Sequence, residues 1–267
     1  MKNSKKILAL ALVCMMLAAV LAGCTASHKY WEDIESKGEM IIGVTPNPPM
    51  NYQDDEGKFT LGFDTEFAIA VCEILGVKAV FQEIVWESKE AELKAMNIDA
   101  VWNGMTITEE RAKEMDISTP YMNNGQVLVV RAEDEEKYKS LNLDGVKIVA
   151  EIGSTLEKTV QNHEIFEKAD YTGVDKQITG LMEVKSGTAD VTLVDLTLAD
   201  ESLKPGSDFE GLVYIEIEDL KEQFGIAFRK NSPDTLKKVN DAIKTLKDNG
   251  TLTEIAEKYD LAGLLVK

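Results

Sequence analysis

The sequence predicts an α/β fold with largely parallel sheets, and three observations predict it. Short apolar runs alternate with amphipathic helical segments from Met40 almost to the end of the chain. Gly, Asn and Pro mark the places where one period gives way to the other. No internal repeat or low-complexity stretch points to a solenoid or a tail.

The elements follow in order. Met40-Ile41-Ile42-Gly43-Val44 is a short apolar strand, broken by Pro46, Pro48 and Pro49, and residues 54–58 form an acidic turn. Phe63, Phe67, Ala70, Val71 and Ile74 recur at helical spacing, with Asp64 and Glu66 in the first turn and Gly76 past the end. Val77–Val85 reads as a strand, Ser88–Met96 as a short helix, Ala100–Trp102 as a strand and Thr108–Glu114 as a helix. Strands at Val127–Arg131, Lys147–Ile152, Val191–Val194 and Gly225–Arg229 are interleaved with helices at Leu156–Asn162 and Asp175–Ser186. Ser232-Pro233 supplies a cap and a first-turn proline for a helix whose face is Leu236, Val239, Ile243 and Leu246. Gly250 ends it, and Leu252–Tyr259 forms the last helix.

The amino end is different in kind. Lys2, Lys5 and Lys6 precede an apolar run from Ile7 to Leu21, then Leu21-Ala22-Gly23-Cys24. A basic segment, a short hydrophobic core and small residues describe a secretory signal over 1–23. Removing it leaves 26 bases against 47 acids, a net charge of −21. That balance argues against nucleic acid and against adhesion to anionic headgroups. Of three Cys, only Cys72 lies in the body of the chain, so no internal disulfide is expected, and a semi-buried structural Cys is the reading. His28 and His163 lack partners at ligand spacing, so neither a metal nor any other cofactor is expected.

Three segments carry chemistry. Asn103-Gly104-Met105-Thr106 ends a strand and leads through Thr108 into a helix opening with Arg111. Amide donors, hydroxyls and a guanidinium there suit a carboxylate, although Thr108 as a cap and Arg111 paired with a neighbouring Glu explain the same residues. Ile152-Gly153-Ser154-Thr155 stands between a strand and a helix in the same way. Asp195 follows the strand Asp190–Val194, where α/β sheets bind ligands, and either receives an ammonium or caps the next segment. Together, carboxylate donors in two halves and one acid complement a zwitterionic α-amino acid.

Gly62-Phe63-Asp64-Thr65-Glu66-Phe67-Ala68-Ile69-Ala70 resembles the signature of the family 3 solute-binding proteins, the polar amino acid receptors of ABC importers. Ile98 through Arg111, Ile117–Tyr121, Gly153–Thr155, Ala189–Asp195, Gly225–Lys230 and Asn249-Gly250-Thr251 are similar to that family in order and spacing. The resemblance implies a two-lobe, Venus-flytrap fold, with lobe I over 38–122 and 228–267, lobe II over 127–219, and hinges at 123–126 and 220–227. It implies that Arg111, Thr106, Gly104 and Asn103 meet the ligand carboxylate from lobe I, and Thr155 and Ser154 from lobe II, with Asp195 on the ammonium. Trp86 falls where the family stacks an aromatic on the ligand, with a core Trp as the alternative, and Trp102 reads as core. Asn47 stands near where members selecting basic side chains carry an aromatic, and no acid accompanies it. Glu151 falls at a side-chain contact position, and a solvated acid at a strand end is equally consistent with it.

Cys24 after Leu-Ala-Gly resembles a lipoprotein lipobox, which implies lipidation at Cys24 and attachment to the membrane through lipid alone; the polar, charged residues that follow read as a tether over 24–37 with one helical turn around Tyr30–Ser36. Such an anchor suggests a cell without an outer membrane. The expected partners are a polar L-amino acid and ABC permease and ATPase subunits, with the receptor acting as a monomer. Two rivals share the fold: a cyclohexadienyl or arogenate dehydratase-like enzyme, with Glu151 as its acid, and a sensor subunit.

Overall fold

The computed structural model describes residues 30–267; the signal, Cys24 and the first part of the expected tether lie outside them. The chain runs through α1 (Tyr30–Lys37), β1 (Glu39–Val44), the hairpin strands β2 (Tyr52–Gln53) and β3 (Phe59–Leu61), α2 (Phe63–Leu75) and β4 (Lys78–Glu83). It continues with α3 (Lys89–Lys94), β5 (Ala100–Val101), α4 (Glu109–Glu114) and β6 (Met115–Ile117). Next come β7 (Met122–Arg131), α5 (Glu135–Tyr138), β8 (Lys147–Glu151), α6 (Thr155–Asn162), β9 (Asp170–Val174), α7 (Gln177–Ser186), β10 (Val191–Asp195) and α8 (Leu196–Ser202). The return is made on β11 (Leu212–Phe224) to β12 (Ala227–Arg229), α9 (Pro233–Asp248) and α10 (Thr251–Glu257).

Two five-stranded sheets result, ordered β4-β1-β5-β12-β6 in lobe I and β11-β7-β10-β8-β9 in lobe II. The expectation of largely parallel sheets needs correction. Four neighbouring pairs in these sheets are parallel and four antiparallel. The reversals come from two strands at the lobe crossings: β7 runs against β10 and β11 in one sheet, and β12 against β5 and β6 in the other.

Lobe I closes over an aromatic cluster. Phe67 meets Trp102 edge-on at 5.0 Å and Tyr121 at 5.4 Å, with Phe63 stacked 6.0 Å from Tyr121. Val239, Ile243 and Leu246 of α9 cover this core, as their spacing along one helix face predicts. In lobe II the period of two sorts β7 cleanly: Leu128 and Val130 face a cluster with Leu156 and Val160 of α6. Val127 and Val129 face the other, with Leu181 and Val184 of α7. Burial on both faces is what central strands of such a sheet require.

The tether expected over 24–37 does not extend through its last eight residues, because Tyr30–Lys37 is helix α1. Trp31 and Ile34, one turn apart, are buried in the lobe I core. Lys238 Nζ sits 5.0 Å from the Trp31 ring, and the Arg229 guanidinium lies 4.5 Å from the Tyr30 ring. Two large apolar side chains at this spacing outweigh the polar character of the rest of the helix.

Between the lobes, β7 and β11 form an antiparallel ribbon that pairs Met122–Gly125 with Lys221–Phe224. The ladder breaks between Glu216 and Lys221 before resuming against Val127–Arg131. Residues 123–126 and 220–224 lie in or beside this ribbon, while Ile226 is already in the lobe I core and Ala227 opens β12. No helix among the described residues is long and apolar enough to cross a membrane.

Candidate functional site

Four strand ends point into the gap between the lobes: Val44 and Val101 from one sheet, Glu151 and Asp195 from the other. The residues that follow line a cleft walled by Asn47, Trp86, Asn103, Gly104, Thr106 and Arg111 on one side. Glu151, Ser154, Thr155 and Asp195 line the other. The structure therefore brings all ten site residues expected from the sequence to one cleft, joined by Thr45, Pro46, Leu156 and Gln177. Space for the centres of water-sized molecules inside it is only about 20 Å³, the room of a water or so. The lobes are shut around it. Lys89 Nζ donates to the Gly153 carbonyl (2.8 Å), Tyr52 Oη to Glu201 (2.6 Å), and Lys176 pairs with Glu83 (3.0 Å). Lys158 and Glu110 form a further ion pair across the gap.

Arg111 is placed by its own helix. Thr108 caps α4 by accepting from the Arg111 N–H (3.1 Å), which sends the third residue's side chain back over the helix start. Capping and cleft lining, posed as alternatives by the sequence, are both realised. The guanidinium is 6% exposed, and its one side-chain hydrogen bond among the described residues runs from Nη1 to the Thr106 carbonyl (2.8 Å). The Trp86 ring lies 5.9 Å from the guanidinium carbon. Burial pulls the Arg111 pKa down, and the Glu222 carboxylate leads the acids that push it back. With five donors and one internal acceptor, this cation is equipped to take a carboxylate.

Asp195 is also buried, with no ion pair to a cation among the described residues. It stands at the N-cap of α8 yet makes no side-chain cap bond, so the capping alternative is not what its carboxylate does. Oδ1 accepts from Asn124 Nδ2 (2.9 Å) and Oδ2 from Gln177 Nε2 (2.6 Å). Burial first, then the Glu222 charge, raise its pKa well above the ordinary carboxylate range. An ammonium beside it would offset both causes by favouring the charged carboxylate.

Glu151 is 5% exposed, which removes the solvated-acid alternative. Burial pushes it up to about 8, against the pull of Lys89 and Arg111. Trp86 is buried yet lines the cleft, so its two readings also coincide. Asn47 is buried in the wall, and its Oδ1 has no hydrogen-bond partner among the described residues.

Three expected contacts are differently employed. The Gly104 N–H donates to Asp64 Oδ2 (2.6 Å), away from the cleft, and Tyr121 Oη donates to the same oxygen (2.9 Å). Asp64, read from the sequence as a first-turn acid, is thus a buried brace under the loop, and burial raises it to about 7. Asn103 staples two strand ends: the Thr45 N–H donates to its Oδ1 (2.6 Å) and its Nδ2 donates to Thr45 Oγ1 (3.1 Å). Ser154 is the N-cap of α6, accepting from the Glu157 N–H (3.1 Å) and donating to the Glu151 carbonyl (2.6 Å), so its hydroxyl proton is already committed. Gly153 beside it needs to be glycine. Its φ is +74°, and a Cβ there would stand 2.7 Å from Glu87 Cα in the facing lobe.

A family model for bacterial extracellular solute-binding proteins, family 3, matches residues 40–262. The chain belongs to that family. Among curated relatives of this family 3 protein is the L-cystine-binding protein TcyJ of Escherichia coli K12, 31% identical, with 93% of this chain and 94% of the relative covered. An ABC uptake transporter substrate-binding protein from Streptococcus pneumoniae with bound histidine superposes with a TM-score of 0.84. It is 27% identical, and the match covers 91% of this chain and all (100%) of that one. The ancestral amino acid-binding protein AncCDT-1, a precursor of cyclohexadienyl dehydratase, is 31% identical with a TM-score of 0.78, covering 85% and 98%. The two-lobe architecture is common to these structures and to this family 3 protein.

Residues that sequence reasoning missed form the support of the site. Gln177 orients Asp195 from the first position of α7, and Asn124 and Gln126 reach in from β7. Lys89 is buried under Trp86, donating to its carbonyl (3.2 Å) and lying 4.8 Å from its ring, and desolvation lowers it to about 8. Glu222, on β11, joins Thr106 to Asn124. Each carries an ordinary polar signal in the sequence, and only the packing of distant strands gives it a role.

Proposed function

We propose that this family 3 protein is an extracytoplasmic receptor that captures a polar L-amino acid between its lobes and delivers it to an ABC permease. One observation carries the reading: a buried guanidinium and a buried carboxylate line one cleft from opposite lobes and, among the described residues, Arg111 has donors to spare and Asp195 has no cation paired with it. Arg111, with Thr106 and Thr155, would hold the α-carboxylate, and Asp195 the α-ammonium. Trp86, Glu151 and Asn47 would face the side chain, where a buried acid and an unpaired carbonyl oxygen suit a hydrogen-bond donor. The ligands named for TcyJ and for the streptococcal protein, cystine and histidine, are amino acids, in keeping with this site.

Closure would turn on the β7–β11 ribbon near 123–126 and 220–227, because only there is the lobe-to-lobe connection two strands wide. Ligand contacts from both lobes are completed only in the closed form, so binding shifts the open–closed balance. Cys24 would carry lipid and hold the receptor on the outer face of the membrane. In that case Cys24→Ser moves the protein from the membrane pellet to the supernatant, and an unchanged distribution removes the anchor.

A thermal-shift screen of the twenty amino acids with ornithine, citrulline and cystine tests the receptor. A ligand bound only by the native state raises the melting temperature, and a flat response to all of them would defeat the proposal. The likeness to a cyclohexadienyl dehydratase precursor, with Glu151 held protonated up to about 8, supports a second reading as a dehydratase. Turnover of prephenate or arogenate by the purified protein decides for it.

A further inference from the structure

Glu222 on β11 lies directly opposite Asn124 on β7. Its Oε1 accepts from Thr106 Oγ1 (2.9 Å) and Asn124 Nδ2 (2.7 Å), and its Oε2 accepts from Gln126 Nε2 (3.1 Å). Thr155 Oγ1 stands 3.3 Å from Thr106 Oγ1 and 3.5 Å from Glu222 Oε2. One carboxylate thus draws together a lobe I loop, the start of a lobe II helix and both strands of the ribbon.

The proton count decides what this means. An ionised carboxylate only accepts, and a threonine hydroxyl has a single proton. The Thr106 proton therefore points at Glu222, and its lone pairs face whatever else approaches. Thr155 directs its own proton toward Thr106 or Glu222. A second carboxylate arriving at these hydroxyls meets oxygen lone pairs and a like charge behind them. It gains the protons only by turning them away from Glu222.

We propose that Glu222 sets the affinity of the cleft, acting as an internal carboxylate that competes with the ligand carboxylate for the Thr106 and Thr155 hydroxyls. The inference rests on the amino acid receptor reading and adds to it a residue that opposes binding. Asn124 extends the opposition, since the same Nδ2 that holds Glu222 also donates to Asp195 (2.9 Å). If Glu222 were only a scaffold for the two threonines, its removal would weaken binding. Competition has the opposite sign.

The test is isothermal titration of the parent, Glu222→Gln and Glu222→Ala with L-arginine, L-glutamine, L-histidine and L-cystine, each separately. A neutral amide accepts a hydrogen bond less strongly than a carboxylate, so the threonine protons are released more readily. Each amino acid that binds the parent is expected to bind Glu222→Gln about fivefold tighter or more, the scale of one hydrogen bond recovered. In a Thr106→Val background the gain from Glu222→Gln shrinks, because the contested proton is gone. Glu222→Ala carries the same sign should the glutamine variant fold poorly. Equal or weaker affinity in a variant that melts like the parent overturns the inference and leaves the receptor standing. If all four are silent with the parent, the titrations are run with whichever amino acid the thermal-shift screen selects, and a screen flat for the parent and both variants removes the receptor reading and this inference with it.

Discussion

The two walls of the cleft hold their charges in opposite ways. On the lobe I wall, Arg111 is fixed by its own surroundings in the chain: a cap three residues back and a carbonyl five residues back. On the lobe II wall, Asp195 is fixed by Asn124 and Gln177, 71 and 18 residues away. The cation is thus a local device that needs its helix, and the anion a tertiary device that needs the lobe. The energies differ as well. Arg111 keeps donors in reserve, whereas both Asp195 and Glu151 are buried acids pushed upward and without a cationic partner at hydrogen-bond distance among the described residues. One wall offers donors without acceptors, and the other a buried acid without its counter-charge.

The largest test of this contrast is Arg111→Ala. Because the side chain makes one bond to its own loop, folding should tolerate the change, while amino acid affinity falls about a hundredfold or more. Titration calorimetry beside a melting curve checks both halves, and an unchanged affinity would break the assignment. Asp195→Asn should separate the two quantities further. Affinity drops about tenfold to a hundredfold with loss of the counter-charge, while the stability of the unliganded protein changes little, because relief of a buried acid offsets the one hydrogen bond that an amide nitrogen cannot accept. A fall in both would mean that Asp195 is a structural acid.

The raised acids also make a pH prediction whose sign is fixed. Glu151 (about 8) in lobe II and Asp64 (about 7) in lobe I are protonated in the native state at pH values where the unfolded chain has released the proton. Folding stability is therefore full below the unfolded values and declines as pH rises through that window, by about 1.4 kcal/mol per pH unit for each group. Chemical denaturation from pH 5 to pH 8 measures the slope. Glu151→Gln and Asp64→Asn should each flatten it, and a parent whose stability rises over this range contradicts both. The smallest expected effect is Gly153→Ala. Its left-handed φ of +74° costs about 1 kcal/mol in any state, but the clash with Glu87 exists only when the lobes meet. Affinity should fall more than the melting temperature suggests, and small-angle scattering should show a more open molecule. Equal losses in both would show that Gly153 matters to the loop alone.

The same division explains how much could be read in advance. Arg111 with Thr108, and Ser154 with Gly153, are local patterns at helix starts, and the sequence carries them in consecutive residues. Asp195 was legible as a position, one residue past an alternating strand, although its partners were not. Glu222, Asn124 and Gln126 acquire meaning only from the antiparallel register of β7 on β11, which no periodicity specifies. Asp64 read as a first-turn acid, and Lys89 carried no reading beyond its place in the helix Ser88–Met96, because burial comes from chain segments far away. The fold class was read from alternation and the crossings at 123–126 and 220–227 from the family resemblance, while their antiparallel pairing escaped because β11 is polar through its second half. Helix α1 was read as one helical turn around Tyr30–Ser36, but its docking was not, since two apolar residues among charged neighbours give little signal until the core that receives them is known.

That helix has a mechanical consequence. Trp31 and Ile34 root the amino end of the described chain in lobe I, and α9 packs across them. A receptor held from Cys24 would be gripped by that lobe alone, with no second attachment on its partner. Lobe I then becomes the stationary frame at the membrane surface and lobe II the swinging jaw. Opening would move Asp195 and Glu151 outward while Arg111 stayed in register with the transporter below.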